Sequence, residues 1–243
     1  MNMEYHEWYS DRVGKDMGVL RIGHYGPALI YLPTCGGDHT EFQRYVMEED
    51  ARYWIESGKV QIFSIDAINH LSWYNPDLHP ADKVQWAMGY EGYVVDEVLP
   101  LIRNITQNPF VGMMGASWGG YTVANFWAKH PDKFNLAVAM SGVFGIESQL
   151  QGYYDDNCYS NNPPHYLQHM ADPYYYHNYR NNSLLWMMCG EHDICKKDND
   201  EFANLLSHKD IPHWYDVWPA PCDHNEYWWK KMLPKVLDKF YSL

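Results

Sequence analysis

The sequence predicts an α/β fold, a mostly parallel central sheet covered by helices on both faces. Three observations carry it. Short apolar runs of strand length alternate with segments of helical period, the pattern of successive βαβ units. The stretch Phe110–Tyr121 passes from an apolar run through a glycine-bearing turn into a helical pattern that lasts to His130 and is closed by Pro131. The segments that carry chemistry, Thr34–Asp38, Ser117, Asp193 and His224, all fall just after predicted strands. Parallel sheets place their sites there, at the carboxyl ends of the strands.

Taken in order, Glu7–Ser10 and Met17–Ile22 read as antiparallel strands joined around Gly14. Ala28–Leu32 is a buried strand between Gly26–Pro27 and Pro33. The loop Thr34–Cys35–Gly36–Gly37–Asp38 follows. A helix is expected from Glu41 to Glu56, with Thr40 as N-cap and Gly58 as stop. Val60–Ile65 is the next strand, and Asp66–Pro80 a loop. Ala81–Arg103 reads as helical, with Pro100 bending or ending its last turn. After the Ser117 turn and its helix come a strand at Leu136–Met140 and then Ser141–Gly142. Residues 145–182 are rich in Tyr, Asn and Pro and read as a small cap or insertion with one or two short helices. Leu184–Cys189 and His213–Trp218 are strands, Asn199–His208 and Glu226–Tyr241 helices. No repeat and no linker interrupts residues 1–243, so a single domain is expected.

Composition narrows the class. At 243 residues the chain can bury a large core. A hydrophobic share of 46% excludes a disordered chain. The formal net charge of −13, with no Lys/Arg cluster, argues against nucleic acid and anionic membrane surfaces as partners. The five cysteines, Cys35, Cys158, Cys189, Cys195 and Cys222, are odd in number and lack metal-ligand spacing. Reduced thiols in a cytoplasmic setting are expected. The start Met1–Glu7 has neither the basic region nor the apolar core of a signal peptide. No apolar run approaches membrane-spanning length.

Gly115, Ser117 and Gly119 form G-x-S-x-G between the strand and the helix. This arrangement lifts a serine hydroxyl from the end of a sheet on a tight turn, and the flanking glycines remove Cβ atoms that would clash. A serine hydroxyl is a weak nucleophile and needs a base, which in turn needs a group to hold its tautomer. With the chain order Ser, Asp/Glu, His, Asp193 after the penultimate strand and His224 after the last one are the candidates. His192, His208 and His213 are rivals for the base, and Glu191, Asp198 and Asp200 for the acid. Two backbone donors would hold the substrate oxyanion. One is the N–H of Trp118. The other is that of Cys35, with Gly36 as the alternative. Cys35 as nucleophile is the weaker idea, because its N–H and not its thiol is in the useful place. Trp73, Tyr74, Tyr153 and Tyr154, with Tyr174 and Tyr175, are candidate substrate contacts, since rings stack on aromatic and sugar-bearing groups. Nothing implies a cofactor or metal, and histidine pairs at helical ligand spacing are absent.

On these residues the chain resembles an esterase family of α/β hydrolases that includes S-formylglutathione hydrolases (esterase D), feruloyl esterases and mycolyltransferases. The resemblance rests on Gly115–Ala116–Ser117–Trp118–Gly119–Gly120, on Tyr93–Val94–Val95–Asp96–Glu97–Val98–Leu99–Pro100, on Pro131–Asp132–Lys133–Phe134 with Ser141–Gly142, and on His224–Asn225–Glu226–Tyr227–Trp228–Trp229. It implies the α/β-hydrolase fold, with Ser117 as nucleophile, Asp193 as acid and His224 as base. Two departures stand out. Relatives often carry His-Gly where this chain has Pro33–Thr34, and Gly-Gly-His where it has Cys222–Asp223–His224.

The function expected is a serine carboxylic ester hydrolase acting on a small, carbohydrate or aromatic ester through an acyl-enzyme. The alternatives are an acyltransferase on the same triad and a non-catalytic binding protein of the same fold. The partner expected is a small-molecule ester, with a homo-oligomer left open.

Overall fold

The computed structural model describes residues 1–242, with side chains through Phe240. Eight strands form one sheet: β1 Met3–Ser10, β2 Lys15–Ile22, β3 Ala28–Leu32, β4 Gln61–Ile65, β5 Val111–Ala116, β6 Leu136–Met140, β7 Leu184–Gly190 and β8 His213–Trp218. Their order across the sheet is β1-β2-β4-β3-β5-β6-β7-β8. The pairs β1–β2 and β2–β4 are antiparallel, and every pair from β4 to β8 is parallel. Gly14, with φ +75°, makes the turn between β1 and β2.

Side-chain parity divides the sheet between two cores. On β3, Ala28, Ile30 and Leu32 face one core, and Leu29 and Tyr31 the other. On β6, Ala137 and Ala139 face the first, and Leu136, Val138 and Met140 the second. The first core is covered by Tyr90, Tyr93 and Val98, by Val123 and Trp127, and by Phe202 and Leu206. The second is covered by Phe42, Met47 and Ile55 and by the last helix through Met232, Leu233, Val236 and Phe240. β5 lies in the middle of the sheet with all six residues buried. Its carboxyl end is therefore a fixed platform enclosed on both sides, which is what holds the residue after Ala116 in place.

Three sequence expectations need correction. The single helix over 41–56 is three short segments, Glu41–Arg44, Met47–Asp50 and Arg52–Glu56. Val46 interrupts them at φ +56°. Thr40 does not cap the first, because its hydroxyl donates to Asp38 Oδ1 at 2.5 Å. Glu41, at the start of the first, is buried. The helical stretch over 81–103 starts at Pro80 and continues to Ile105, and Pro100 does not end it. A wider π turn at Val94–Val98 precedes Pro100 and absorbs the hydrogen bond that proline cannot donate. Residues 145–182 hold four short helices rather than one or two: Glu147–Leu150, Asp156–Ser160, Pro163–His169 and Pro173–Asn181. They are fastened to the helix Trp118–Lys129 by tyrosine hydroxyls. Tyr121 donates to the Asn161 carbonyl at 2.8 Å, Tyr166 to Asn125 Oδ1 at 3.0 Å, and Tyr179 to the Ala128 carbonyl at 2.6 Å. No helix among the described residues is long and apolar enough to cross a membrane.

Candidate active site

Ser117 sits between β5 and the helix Trp118–Lys129 at φ +55°, ψ −117°. A non-glycine residue avoids such a conformation unless its surroundings impose it. Here the neighbours do so by close approach. A Cβ on Gly119 would lie 2.3 Å from the Leu32 carbonyl oxygen, and one on Gly115 2.7 Å from both that oxygen and the Gly119 carbonyl. The end of β3 can approach β5 and the start of the helix Trp118–Lys129 this closely only with glycine at both positions. The Ser117 N–H donates to the Met140 carbonyl at 2.9 Å, which ties the turn to β6 as well.

His224 reaches this point from the loop after β8. Its Nε2 lies 3.0 Å from Ser117 Oγ, and its Nδ1 lies 2.9 Å from Asp193 Oδ1. Asp193 follows β7 and is buried, and the same Oδ1 accepts the Cys195 N–H at 2.8 Å. This arrangement assigns the tautomer: Nδ1–H donates to the carboxylate, and Nε2 is left to accept from the hydroxyl. Burial alone would push the Asp193 carboxyl up. Hydrogen bonds from His224 and the Cys195 N–H, with the dipole of the neighbouring Ser141 hydroxyl, outweigh it and hold the group below the ordinary carboxylate value.

Behind Asp193 lies Ser141, fully buried and held at φ +50°. Its Oγ accepts the Trp229 indole N–H at 2.9 Å, and its hydroxyl neighbours the Asp193 carboxylate, whose Oδ2 has no hydrogen-bond partner among the described residues. The Trp229 ring stands edge-on to His224 at 5.2 Å and 89°. No motif points to Ser141 or Trp229. Both stood in the sequence only as part of the resemblance, without a role.

The two candidate backbone donors lie just after β5 and β3, strands that are neighbours in the sheet. The N–H of Trp118 opens its helix, where first-turn donors have no intrahelical acceptor. Cys35 lies in the loop after β3, and its N–H has no acceptor among the described residues. Gly36 is open, with no atom within 4 Å of a Cβ built on it. Gly37 is excluded as a donor, because its N–H is given to the Thr34 carbonyl at 3.1 Å.

The aromatic candidates divide. Trp73 is 3% exposed and belongs to a small core with Trp118 and Tyr121, so it is packing and not a substrate surface. Tyr74 is 43% exposed, with its ring 5.2 Å from that of Trp118, the residue after Ser117. Tyr153 packs its ring on His79 and donates its hydroxyl to Asp155. Tyr154 is exposed and bonded to His165 on the insertion. Tyr174 is exposed, and Tyr175 packs against the first core.

The rival residues are engaged elsewhere. His208 Nδ1 donates to the Asn204 carbonyl and His213 Nδ1 to that of Ile211. Asp200 holds Lys196 and Tyr215. Glu191, His192 and Asp198 are exposed.

Among the described residues, Asp193, Cys195 and His224 bring one potential ligand atom each within 4.8 Å of one another. His224 already uses both ring nitrogens, so an ion there would have to displace Asp193 or Ser117. Burial, with Asp193 beside it, pushes the Cys195 thiol up to about 12, which disfavours the thiolate a metal requires. The donor set fits a proton relay better than a metal site. All five cysteines are free thiols, with Cys35 alone exposed.

The prolyl oligopeptidase family matches residues 101–213, a span with Ser117 and Asp193 but without Cys35 or His224. No curated protein matches. Solved structures similar to this chain include a ferulic acid esterase, 18% identical, with a TM-score of 0.78 over 99% of this chain and 98% of the other. Another is the fluorophosphonate-binding serine hydrolase F of Staphylococcus aureus, 20% identical, with a TM-score of 0.72 over 99% and 98%. A third is an S-formylglutathione hydrolase from Agrobacterium tumefaciens, 15% identical, with a TM-score of 0.75 over 99% and 94%. At these identities the likeness establishes the fold, which is that of the α/β hydrolases.

Proposed function

We propose that this chain is a serine carboxylic ester hydrolase working through an acyl-enzyme. The observation that carries the reading is the continuous hydrogen-bonded chain Asp193–His224–Ser117. In the first step Ser117 Oγ attacks the ester carbonyl carbon while its proton passes to His224 Nε2. The charge that develops on the carbonyl oxygen is met by the N–H groups of Trp118 and Cys35, and Asp193 stabilises the imidazolium. The proton then goes from Nε2 to the leaving alkoxide, the ester C–O bond breaks, and the acyl group stays on Ser117. Water enters, gives its proton to Nε2, attacks the acyl carbon, and releases the acid with return of the proton to Ser117. Each oxyanion donor is worth about 3 kcal/mol to such a step.

Tyr74 beside Trp118 supports an aromatic or sugar-bearing ester, as does the likeness to a ferulic acid esterase. The free thiols support a reducing, cytoplasmic setting. A single domain fits the one continuous sheet.

The test is a panel of p-nitrophenyl esters of increasing acyl length, methyl ferulate and a short peptide amide, each with and without an added alcohol. The reading expects release of free acid from esters and none from the amide. Release from the amide alone would favour the peptidase chemistry of the matching family. Ester product formed mainly with the added alcohol would favour acyl transfer.

A further inference from the structure

The oxyanion loop is held by a carboxylate that no motif marks. Glu41 is fully buried at the start of the segment after that loop. Its Oε1 accepts the Tyr31 hydroxyl at 2.7 Å and the Thr34 N–H at 2.8 Å, and its Oε2 accepts the Thr34 hydroxyl at 2.7 Å. Its charge is balanced by Arg44, at 3.4 Å. The carbonyl of Thr34 is fixed independently, by Asn69 Nδ2 at 3.2 Å and by the Gly37 N–H at 3.1 Å. Every polar atom of Thr34 is therefore engaged. Gly37 completes the fit, because a Cβ there would lie 2.0 Å from Glu41 Oε2.

The peptide bond makes this consequential. The Thr34 C=O and the Cys35 N–H share one rigid plane and point in opposite directions. Fixing the carbonyl towards Asn69 and Gly37 fixes the Cys35 N–H towards the other side. That N–H has no acceptor among the described residues. A donor aimed in advance costs no reorganisation when charge appears.

We infer that Glu41, assisted by Asn69, is a positioning residue that aims the Cys35 N–H at the substrate oxyanion by immobilising Thr34. This rests on the proposed esterase reading. It also selects Cys35 over Gly36 as the loop donor and gives Pro33–Thr34 a function where relatives often carry His-Gly.

The test compares wild type, Glu41→Gln and Asn69→Ala. A misaimed donor costs about 10- to 100-fold. In E41Q that loss is expected in kcat, with KM within about threefold, since the effect belongs to the transition state. Binding of a trifluoromethyl ketone, which forms the same oxyanion, should weaken by the same factor. Asn69→Ala should show a smaller loss of the same kind and serves if E41Q does not fold. A folded variant with unchanged kcat and unchanged inhibitor binding overturns the inference. Hydrogen exchange at the Thr34 amide reads the clamp without catalysis: slow exchange in wild type and faster exchange in E41Q is expected, and fast exchange in wild type overturns it. A wild-type protein with a slow Thr34 amide and no esterase activity would overturn the parent reading and leave the clamp standing.

Discussion

Nε2 of His224 lies 3.0 Å from Oγ of Ser117, although 107 residues of chain separate them. The contact depends on two loops at the same carboxyl edge of the sheet, one after β5 and one after β8, with β6 and β7 between them. The other face of the imidazole is set by Asp193 at 2.9 Å. The three groups belong to separate strand ends, so the sheet itself is the device that brings them together.

Asp193→Asn should leave the fold intact and lower kcat by about 10⁴-fold, because the amide can no longer fix the Nδ1–H tautomer. It should also change the response to acid. The Asp193 carboxyl is held below its ordinary value in the folded protein. Its contribution to stability is therefore full above the unfolded pKa of about 4 and is lost as pH falls through the folded one. Denaturant midpoints measured from pH 7 downwards should show wild type and D193N differing most at the upper end and converging in acid. A constant difference across that range would contradict the assignment.

Ser141→Ala removes the acceptor of the Trp229 indole and the hydroxyl beside Asp193. A buried donor left unmatched costs about 1–3 kcal/mol, so the thermal midpoint should fall. With the dipole of that neighbouring hydroxyl gone, the Asp193 carboxylate holds the imidazolium more strongly. The acid limb of the kcat/KM profile should move to higher pH. A purely structural role would lower the midpoint and leave that limb in place.

Gly119→Ala tests the close approach of the helix Trp118–Lys129 to the end of β3. The added Cβ would meet the Leu32 carbonyl at 2.3 Å and that of Pro33 at 2.8 Å, both backbone atoms that cannot swing aside. We expect a loss of about 3 kcal/mol or more, read as a lowered urea midpoint or as insoluble protein. Gly36→Ala, where no atom lies within 4 Å, should cost far less. Equal stability of the two variants would contradict the packing argument.

Much of the fold could be read before any coordinates. Ala28–Leu32, Leu136–Met140 and His213–Trp218 have the same bounds in sequence and structure, because short β-rich runs end at turn residues or at a change of period. The helix expected over 41–56 breaks at Val46, whose positive φ no local pattern announces. The inward turn of Glu41 depends on Tyr31 and Thr34, which no local pattern reveals. At the site, chain order and strand-end placement point to Ser117, Asp193 and His224, three side chains joined in series by hydrogen-bond distances. Glu41, Asn69 and Ser141 act through single bonds to backbone or to distant side chains, and such pairings leave no spacing to detect. Trp73 and Tyr74 show the same limit from the other side. Adjacent rings in one aromatic loop have opposite fates, one in a core and one exposed beside Trp118.

The central claim is that the Ser117 hydroxyl is activated by His224. The most direct measurement is the rate of covalent labelling by a fluorophosphonate, followed by intact mass and peptide mapping, in wild type, Ser117→Ala and His224→Ala. The account predicts one adduct per wild-type chain, located on Ser117, none on S117A, and labelling of H224A slowed by about 10³-fold or more. An unlabelled but folded wild-type protein, or H224A labelled at the wild-type rate, would contradict it.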